Sequence, residues 1–288
     1  SDFERNHSIT FFIKNTIKYL DKEKFKISIF SFAKRNYEDE SQNELKILSD
    51  EWFDLQKLDN QQVINLIQKN KIYILFDIMG FTNAHRVEIF NSRISPIQVS
   101  WLAYCNTLGF ETIDFIISDK NLINKNEENL YSEKIMYLPN VWSSHCGFNL
   151  EREYVGLPFD KGEIFTFGSL NNFRKISDET LNTWSVILNN VSNSRLILKS
   201  STFCDSTLLL EKFKKNGVKN KIEILDKKNF FKKKDHLCLY KKIDLALDTF
   251  PYNGVTTTFE ALWMNVPTIV LRGYNFNSRC GESIIKNL

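Results

Sequence analysis

The sequence predicts an α/β protein built from two doubly wound, Rossmann-like domains. Three observations carry that reading. Strand-like and helix-like segments alternate along the chain, the pattern of parallel sheets covered by helices on both faces. The strand-like segments are short and apolar, and residues 72–78 (IYILFDI) read as a strand buried on both faces. A stretch without periodicity, 139–162, gathers Pro139, Gly147, Gly156, Pro158 and Gly162 and divides the alternation in two. Domains are therefore expected at 1–150 and 151–288, facing a cleft. The length agrees, since 288 residues at roughly 150 per domain make about two.

The N-terminal half opens on a helix at 9–20, whose residues Ile9, Phe12, Ile13, Ile17 and Leu20 form one apolar stripe. Residues 25–32 (FKISIFSF) alternate with period two, as a strand does. Helices follow at 43–48 and 61–68, then the strand at 72–78, a helix at 83–90, and strands at 97–102, 113–117 and 135–138. In the C-terminal half, strands at 164–167, 196–199, 222–225, 243–247 and 268–271 alternate with helices at 177–188, 207–215, 235–240, 257–264 and 279–288. No internal repeat of 20 to 50 residues is present, which excludes a solenoid. The first helix has no strand before it, and the chain stops as the last helix begins. Both ends therefore read as cut from a longer catalytic region.

Composition narrows the function classes. Hydrophobic residues at 42% and charged residues at 25% suit a folded domain and not a disordered chain. Lys+Arg 38 against Asp+Glu 35 gives a net charge of +3, without the basic excess of a nucleic-acid binder. No apolar run approaches the roughly 18 residues of a membrane span. Cys105, Cys146, Cys204, Cys238 and Cys280 are odd in number and form no CxxC pair, which suits a reducing compartment, the cytoplasm. His7, His85, His145 and His236 show no metal-binding spacing, and the adjacent His145-Cys146 lacks a second ligand pair. No metal site and no cofactor are expected.

Ligands of doubly wound sheets bind beyond the carboxyl ends of the strands, so the chemistry is sought just after strands. The most informative stretch is Asp248-Thr249-Phe250-Pro251-Tyr252-Asn253-Gly254-Val255-Thr256-Thr257-Thr258-Phe259-Glu260. A turn at 251–254 leads into a helix that begins among threonines. Its unpaired N–H groups and partial positive charge make a seat for phosphate, to which Thr256 and Thr257 add hydroxyl donors. Glu260, four residues after Thr256, offers a carboxylate on the same face for ribose hydroxyls. Equally, Thr257-x-x-Glu260 is the pattern of a capping box, which needs no ligand. The second strand end reads Phe167-Gly168-Ser169-Leu170-Asn171-Asn172-Phe173-Arg174-Lys175. Lys175 there can neutralise a diphosphate as a point charge, or it can be an ordinary solvated loop lysine. His236 can lie against a base or cap a short helix, and His7, before the first helix, can act as a general base or simply sit at the surface. No GxGxxG, GxxxxGK[ST] or GxSxG motif is present.

Taken together, several motifs resemble one family. Residues 244–267, Gly80-Phe81-Thr82 leading to Arg86, Glu88-Ile89-Phe90, Arg93 and Pro96-Ile97-Gln98, and Asp114-Phe115-Ile116-Ile117-Ser118-Asp119 follow in order. So do Tyr131-Ser132-Glu133-Lys134, Leu138-Pro139, residues 167–175, Ser278-Arg279, and Ser1-Asp2-Phe3 with Asn6-His7. This order resembles the catalytic region, of bacterial type, of the protein O-GlcNAc transferase and SPINDLY group, glycosyltransferase family 41. The resemblance runs over nearly the whole chain.

It implies a GT-B architecture, with a sugar nucleotide held mainly by the second domain and the acceptor on the side of the first. By motif position, Lys175 takes the place of the lysine on the donor diphosphate, and Asn172 stands where a glutamine is often found. Thr256 and Thr257 match the helix-start threonines on the phosphates, and Glu260 the ribose-binding carboxylate. His236 matches the histidine beside the base, Lys233 a lysine near it, and His7 the histidine of an Asn-His-Pro motif. The implied function is inverting, metal-independent transfer of a sugar, GlcNAc first, from a UDP-sugar to a protein Ser/Thr hydroxyl. Partners are then a UDP-sugar and an acceptor protein, with helical TPR repeats upstream and neither nucleic acid nor membrane. Three departures are visible: Ser8 replaces the proline after His7, Asn106 replaces a glycine in Tyr104-Cys105-Asn106-Thr107-Leu108-Gly109, and Val255 replaces a Gly or His. They keep other readings open: a fragment that binds UDP-sugars without transfer, a UDP-glucose-dependent protein N-glycosyltransferase, or a nucleotide-sugar epimerase of related architecture.

Overall fold

The structure is a computed structural model of the chain. It describes residues 7–32, 40–82, 85–148, 156–191, 193–199, 206–226 and 233–288, with the side chains of 40, 41 and 233 outside the description. The chain forms two compact units, Ser1–Phe148 and Asn149–Leu288. Every paired strand is parallel, in keeping with the α/β class the alternation predicts.

In the first unit, α1 (Ser8–Tyr19) buries Ile9, Phe12 and Ile17, as its apolar stripe requires. β1 (Ser28–Ser31) pairs with β2 (Glu51–Asp54), with α2 (Glu40–Leu48) between them in the chain. β2 is a strand the sequence did not announce: only Trp52 and Phe53 are apolar, too short a pattern to read without its partner. α3 (Asn60–Lys69) starts on a capping box between Asp59 and Gln62. β3 (Ile74–Asp77), β4 (Ile97–Ser100), β5 (Phe115–Asp119) and β6 (Lys134–Leu138) form a sheet in chain order.

Two expectations need correction here. The 72–78 run is not buried on both faces. Leu75 and Asp77 face inward, whereas Ile74 and Phe76 are exposed. β3 is an end strand of its four-stranded sheet, with one face uncovered. The helix expected at 83–90 is a 3-10 turn at Val87–Asn91, residues 83 and 84 lying outside the description. The Phe90 carbonyl accepts from Thr112 Oγ1 and Gln98 Nε2 instead of a further helical N–H.

In the second unit, β7 (Phe165–Ser169), α4 (Asp178–Asn190), β8 (Ser194–Lys199), α5 (Ser206–Lys215) and β9 (Lys221–Leu225) run outward in one direction. α6 (Lys233–Cys238) and a 3-10 turn (Leu239–Lys242) then return the chain to the far side of β7. β10 (Leu245–Leu247), α7 (Thr256–Trp263), β11 (Thr268–Ile269) and α8 (Cys280–Lys286) complete the unit. The strand order β11-β10-β7-β8-β9 reverses between β7 and β10. In such sheets the reversal opens a crevice at the carboxyl ends of the two central strands.

The core beneath the outward half joins Phe167, Phe173, Leu181, Trp184, Leu188, Leu196, Leu198, Phe213 and Leu247. Each such side chain contributes roughly 1.5–3 kcal/mol by leaving water. Gly168 is required in β7, because a Cβ there would lie 2.3 Å from Ile243 Cδ1. Ser177 caps α4 by accepting from Thr180 N.

Candidate anion-binding site at the strand reversal

Two loops leave the reversal point, one after β7 and one after β10. The chain turns sharply after β10, with a cis Phe250-Pro251 peptide. Three side chains fold that loop onto itself. Thr249 Oγ1 donates to Tyr252 O at 2.7 Å, and Asn253 Nδ2 donates to Thr249 O at 2.9 Å. Asp248 Oδ1 accepts from Thr249 N at 2.8 Å and from Gly254 N at 2.7 Å. α4 holds the loop from outside, with Ser177 Oγ and Thr180 Oγ1 each donating to Phe250 O at 2.7 Å.

The β7 loop then docks on the β10 loop. Asn171 is the joint: its Nδ2 donates to Asp248 Oδ1 at 3.2 Å, and its Oδ1 accepts from Thr257 Oγ1 at 2.9 Å. Gly254 makes the junction possible, since a Cβ there would sit 2.0 Å from Thr257 Oγ1 and 2.5 Å from Asn171 Oδ1. Lys175 ends the 3-10 turn Phe173–Lys175. Its Nζ donates to Asn253 O at 2.8 Å and lies 4.1 Å from the centre of the Tyr252 ring. A lysine four residues from Asn171 is thus held over the turn that opens α7.

α7 starts at Thr256 without a side-chain cap. The capping box readable in Thr257-x-x-Glu260 does not form: Thr257 Oγ1 bonds Asn171, and Glu260 turns inward. Thr258 Oγ1 donates to Gly254 O. Val255 has φ −81° and ψ −63°, so its branched side chain meets no left-handed backbone. The uncapped N–H groups and the Lys175 ammonium put positive potential at the same loop cluster.

Glu260 is 2% exposed and belongs to a second network. Its Oε2 lies 2.8 Å from His236 Nε2 and accepts from Tyr240 OH at 3.1 Å. His236 Nδ1 lies 3.2 Å from Lys199 Nζ. An ammonium only donates, so Nδ1 accepts and the ring proton sits on Nε2, pointing at Glu260. Burial pushes the Tyr240 hydroxyl well above its ordinary 10, and the Glu260 carboxylate adds to the shift. Tyr240 OH also contacts Thr257 O at 3.1 Å, joining the two networks.

The remaining expected residues fall elsewhere. Asn172 is exposed, and its Oδ1 accepts from Arg174 N at 3.1 Å. Lys233 opens α6, and its side chain lies outside the described residues. His7 belongs to the first unit, exposed at the start of α1, where its Nδ1 accepts from Ile9 N at 3.4 Å. Residues 1–6 of its motif lie outside the description. Asn171 falls on the rim expected after β7, whereas Asp248, Tyr240 and Lys199 are participants that sequence reasoning did not assign. Asp248 had a signal, as the first polar residue after an apolar strand, and Tyr240 lies one helical turn from His236. Among the described residues no group of three or more His, Cys, Asp or Glu side chains is placed to hold a metal ion. No helix among them is long and apolar enough to cross a membrane.

The second unit is thus a doubly wound parallel sheet with an uncapped helix start and a tethered lysine at its reversal, an α/β protein by class. Comparison with known proteins gives the family: the chain belongs to glycosyl transferase family 41, whose family model matches residues 1–146 and 149–288. It is 30% identical over 98% of its length to an Eustoma exaltatum protein named "Probable UDP-N-acetylglucosamine--peptide N-acetylglucosaminyltransferase SPINDLY", covering 31% of that protein. An Arabidopsis thaliana protein of the same name is 29% identical over 97% of this chain, with 31% of the relative covered. A solved mutant structure of Thermobaculum terrenum O-GlcNAc transferase superposes with a TM-score of 0.89 at 29% identity, covering 98% of this chain and 53% of that one. The GT-B-type α/β class implied by the motifs is thereby established. The chain spans about a third of the length of the curated relatives.

Proposed function

We propose that the chain is the sugar-nucleotide-handling region of a protein glycosyltransferase. It moves a sugar, GlcNAc first among candidates, from a UDP-sugar to a Ser or Thr hydroxyl of an acceptor protein. The observation that carries this reading is the convergence of Lys175, Thr256 and Thr257 on one loop cluster at the strand reversal. Family membership and the names of the relatives support the donor and the acceptor.

The chemical demand of such a transfer is on the leaving group. As the bond between the sugar's anomeric carbon and the phosphate oxygen breaks, negative charge grows on the diphosphate. Lys175 and the start of α7 supply fixed positive potential there, which does not have to reorganise as the charge develops. The charge offset comes from protein groups, so transfer proceeds without a metal. His236 and Glu260 sit on the nucleoside side, with Lys233 and Asn172 as further donor contacts. His7 receives the acceptor proton, and the anomeric centre inverts in a single displacement. The second unit then carries the donor and the first the acceptor side. TPR repeats upstream and a cytoplasmic setting complete the proposal.

The test is a donor panel of UDP-GlcNAc, UDP-glucose and nucleoside-diphosphate fucose, with released nucleotide as the readout. It is run with and without acceptor protein, and with and without a chelator. Acceptor-dependent, chelator-resistant release from UDP-GlcNAc is the expected outcome. Binding without release points to a donor-binding region only, and no binding by any donor overturns the reading.

A further inference from the structure

The pocket at the strand reversal contains one polar arrangement that sugar-nucleotide binding as proposed does not use. It is lined by Ser169, Asn171, Tyr240, Asp248, Thr257 and Thr268, among others. Asp248 reaches it directly from the end of β10. Among the described residues this carboxylate's three hydrogen bonds all fall on a single oxygen: Oδ1 accepts from Thr249 N, Gly254 N and Asn171 Nδ2. Oδ2 is buried and has no hydrogen-bond partner among the described residues. α8 packs against it, for a Cβ on Gly281 would lie 2.9 Å from Oδ2. The Ser169 and Thr268 hydroxyls of the same pocket are likewise buried without partners among the described residues.

A buried carboxylate oxygen without a donor is an expensive arrangement unless it carries a proton for part of the time. Once protonated, Oδ2–H becomes a donor in a pocket that these two hydroxyl residues also line. The groups that face Asp248 set the balance. Lys175 favours the charged form, as do the N–H groups of Thr249 and Gly254 and the Asn171 amide; burial opposes it and prevails, raising the group from 3.8 to about 6. Tyr240 faces the same pocket and feels the Asp248 charge. His236, Glu260 and Lys199 stand behind Tyr240 and contact it or each other. α8 presents the Gly281 backbone.

We propose that Asp248 is a positioning residue for the anion seat and that its Oδ2 takes up a proton when a diphosphate occupies that seat. Through Oδ1 it fixes the turn that carries the Asn253 carbonyl under Lys175, and through Asn171 it fixes Thr257. An arriving diphosphate draws the Lys175 ammonium toward itself and adds negative charge to the loop cluster, and both changes favour the protonated carboxyl. The proton comes from solvent and forms an O–H bond at Oδ2, while Oδ1 keeps its three donors. The inference rests on the reading of this cluster as a donor-diphosphate seat.

The test is UDP-GlcNAc affinity from pH 5.5 to 8, measured by calorimetry in two buffers of different ionisation enthalpy. A nucleotide sugar is chosen because its diphosphate, substituted at both ends, does not itself titrate in this range. For wild type the sign is fixed: binding raises the affinity of Asp248 for its proton, so nucleotide affinity is highest at the acid end and falls as pH rises. A one-unit upward shift on binding corresponds to about a tenfold fall in affinity. Proton uptake is expected near pH 6.5. In Asp248→Asn, whose neutral side chain stands in for the protonated carboxyl, the profile flattens and the uptake disappears, and the affinity at pH 8 rises above that of wild type by about the tenfold that wild type gains on going to the acid end. Asp248→Ala, which also loses the Oδ1 clasp, weakens binding about tenfold at every pH. Its folding is checked by circular dichroism, and Asp248→Asn serves alone if it does not fold. A flat wild-type profile, or a slope that survives in Asp248→Asn, overturns the proposal and leaves the donor site standing. Failure of wild type to bind any nucleotide sugar overturns both.

Discussion

The two units place acidic residues at the carboxyl ends of their strands, and they use them differently. In the first unit Asp77 divides its oxygens between Met79 N at 3.1 Å and Gly80 N at 2.8 Å. Asp119 does the same with Asn121 N at 2.8 Å and Trp142 N at 2.9 Å. Asp77 closes its own loop, and Asp119 ties the loop after β5 to the segment after β6; each employs both oxygens. In the second unit Asp248 gathers three donors on Oδ1 and leaves Oδ2 bare in a pocket. The strand order explains the contrast. β3 to β6 follow one another in chain order, whereas β7 and β10 are where the second sheet reverses. Loops diverging from neighbouring strands open a crevice, and there the acid joins its two loops through one oxygen and leaves the other without a donor among the described residues. An identical residue type at an equivalent strand end is thus a loop clasp in one unit and part of a site in the other.

The sharpest way to break this contrast is Lys175→Ala. Removing the fixed charge from the seat is expected to lower sugar transfer at least 100-fold, the order seen when one preorganised transition-state donor is lost. Lys175 is only half-buried, so thermal stability should move little. Near-wild-type nucleotide release by this variant would sink the assignment. The neighbouring asparagines come next. Asn171→Ala cuts the link between Thr257 and Asp248, and a rise of about tenfold in donor KM is expected from losing a buried hydrogen-bonded joint. Asn172→Ala, at an exposed residue, should raise donor KM by about twofold, about a fifth of the Asn171 effect, because a solvent-exposed donor contact loses little. An equal effect of the two would show that burial is a poor guide to the donor site.

Smaller effects refine the comparison. Asp119→Asn should cost about 1–3 kcal/mol in urea unfolding, because one buried backbone N–H loses its acceptor. It should leave the pH profile of nucleotide binding untouched, unlike Asp248→Asn. Stability itself should report Asp248. Its folded carboxyl titrates near 6, above its ordinary value, so its stabilising share is complete at low pH and is lost as pH rises through about 6. The unfolding free energy of Asp248→Asn relative to wild type should therefore climb by about 2–3 kcal/mol between pH 4 and 7 and then level off. The smallest stability effect is that of His7→Ala. Its contact to Ile9 N is long, so less than about 1 kcal/mol is expected. A loss of transfer with unchanged nucleotide affinity would place His7 on the acceptor proton; unchanged transfer would remove it from the chemistry.

The legible part of the site was its backbone logic. Residues 248–260 read as strand end, turn and helix start, and 167–175 as the matching loop, from apolar runs broken by Pro, Gly and Thr. The partners of the side chains were not legible. Thr257 and Glu260 have the spacing of a capping box, yet Thr257 bonds Asn171, 86 positions away, and Glu260 bonds His236 and Tyr240. Asn171 and Asn172 are the same residue type side by side, and only packing makes one the joint and the other an exposed cap. β2 escaped notice because its signal lies in its pairing with β1.

By itself, then, the sequence determined the periodicity of the elements, the division of the chain and the family, because apolar spacing and long ordered motifs are properties of the chain read in one dimension. Tertiary structure alone decided which two loops meet at the strand reversal, and which oxygen of Asp248 has no donor among the described residues. The physical reason is that hydrogen-bond satisfaction of buried polar groups is settled across loops far apart in sequence, where no local spacing carries the information.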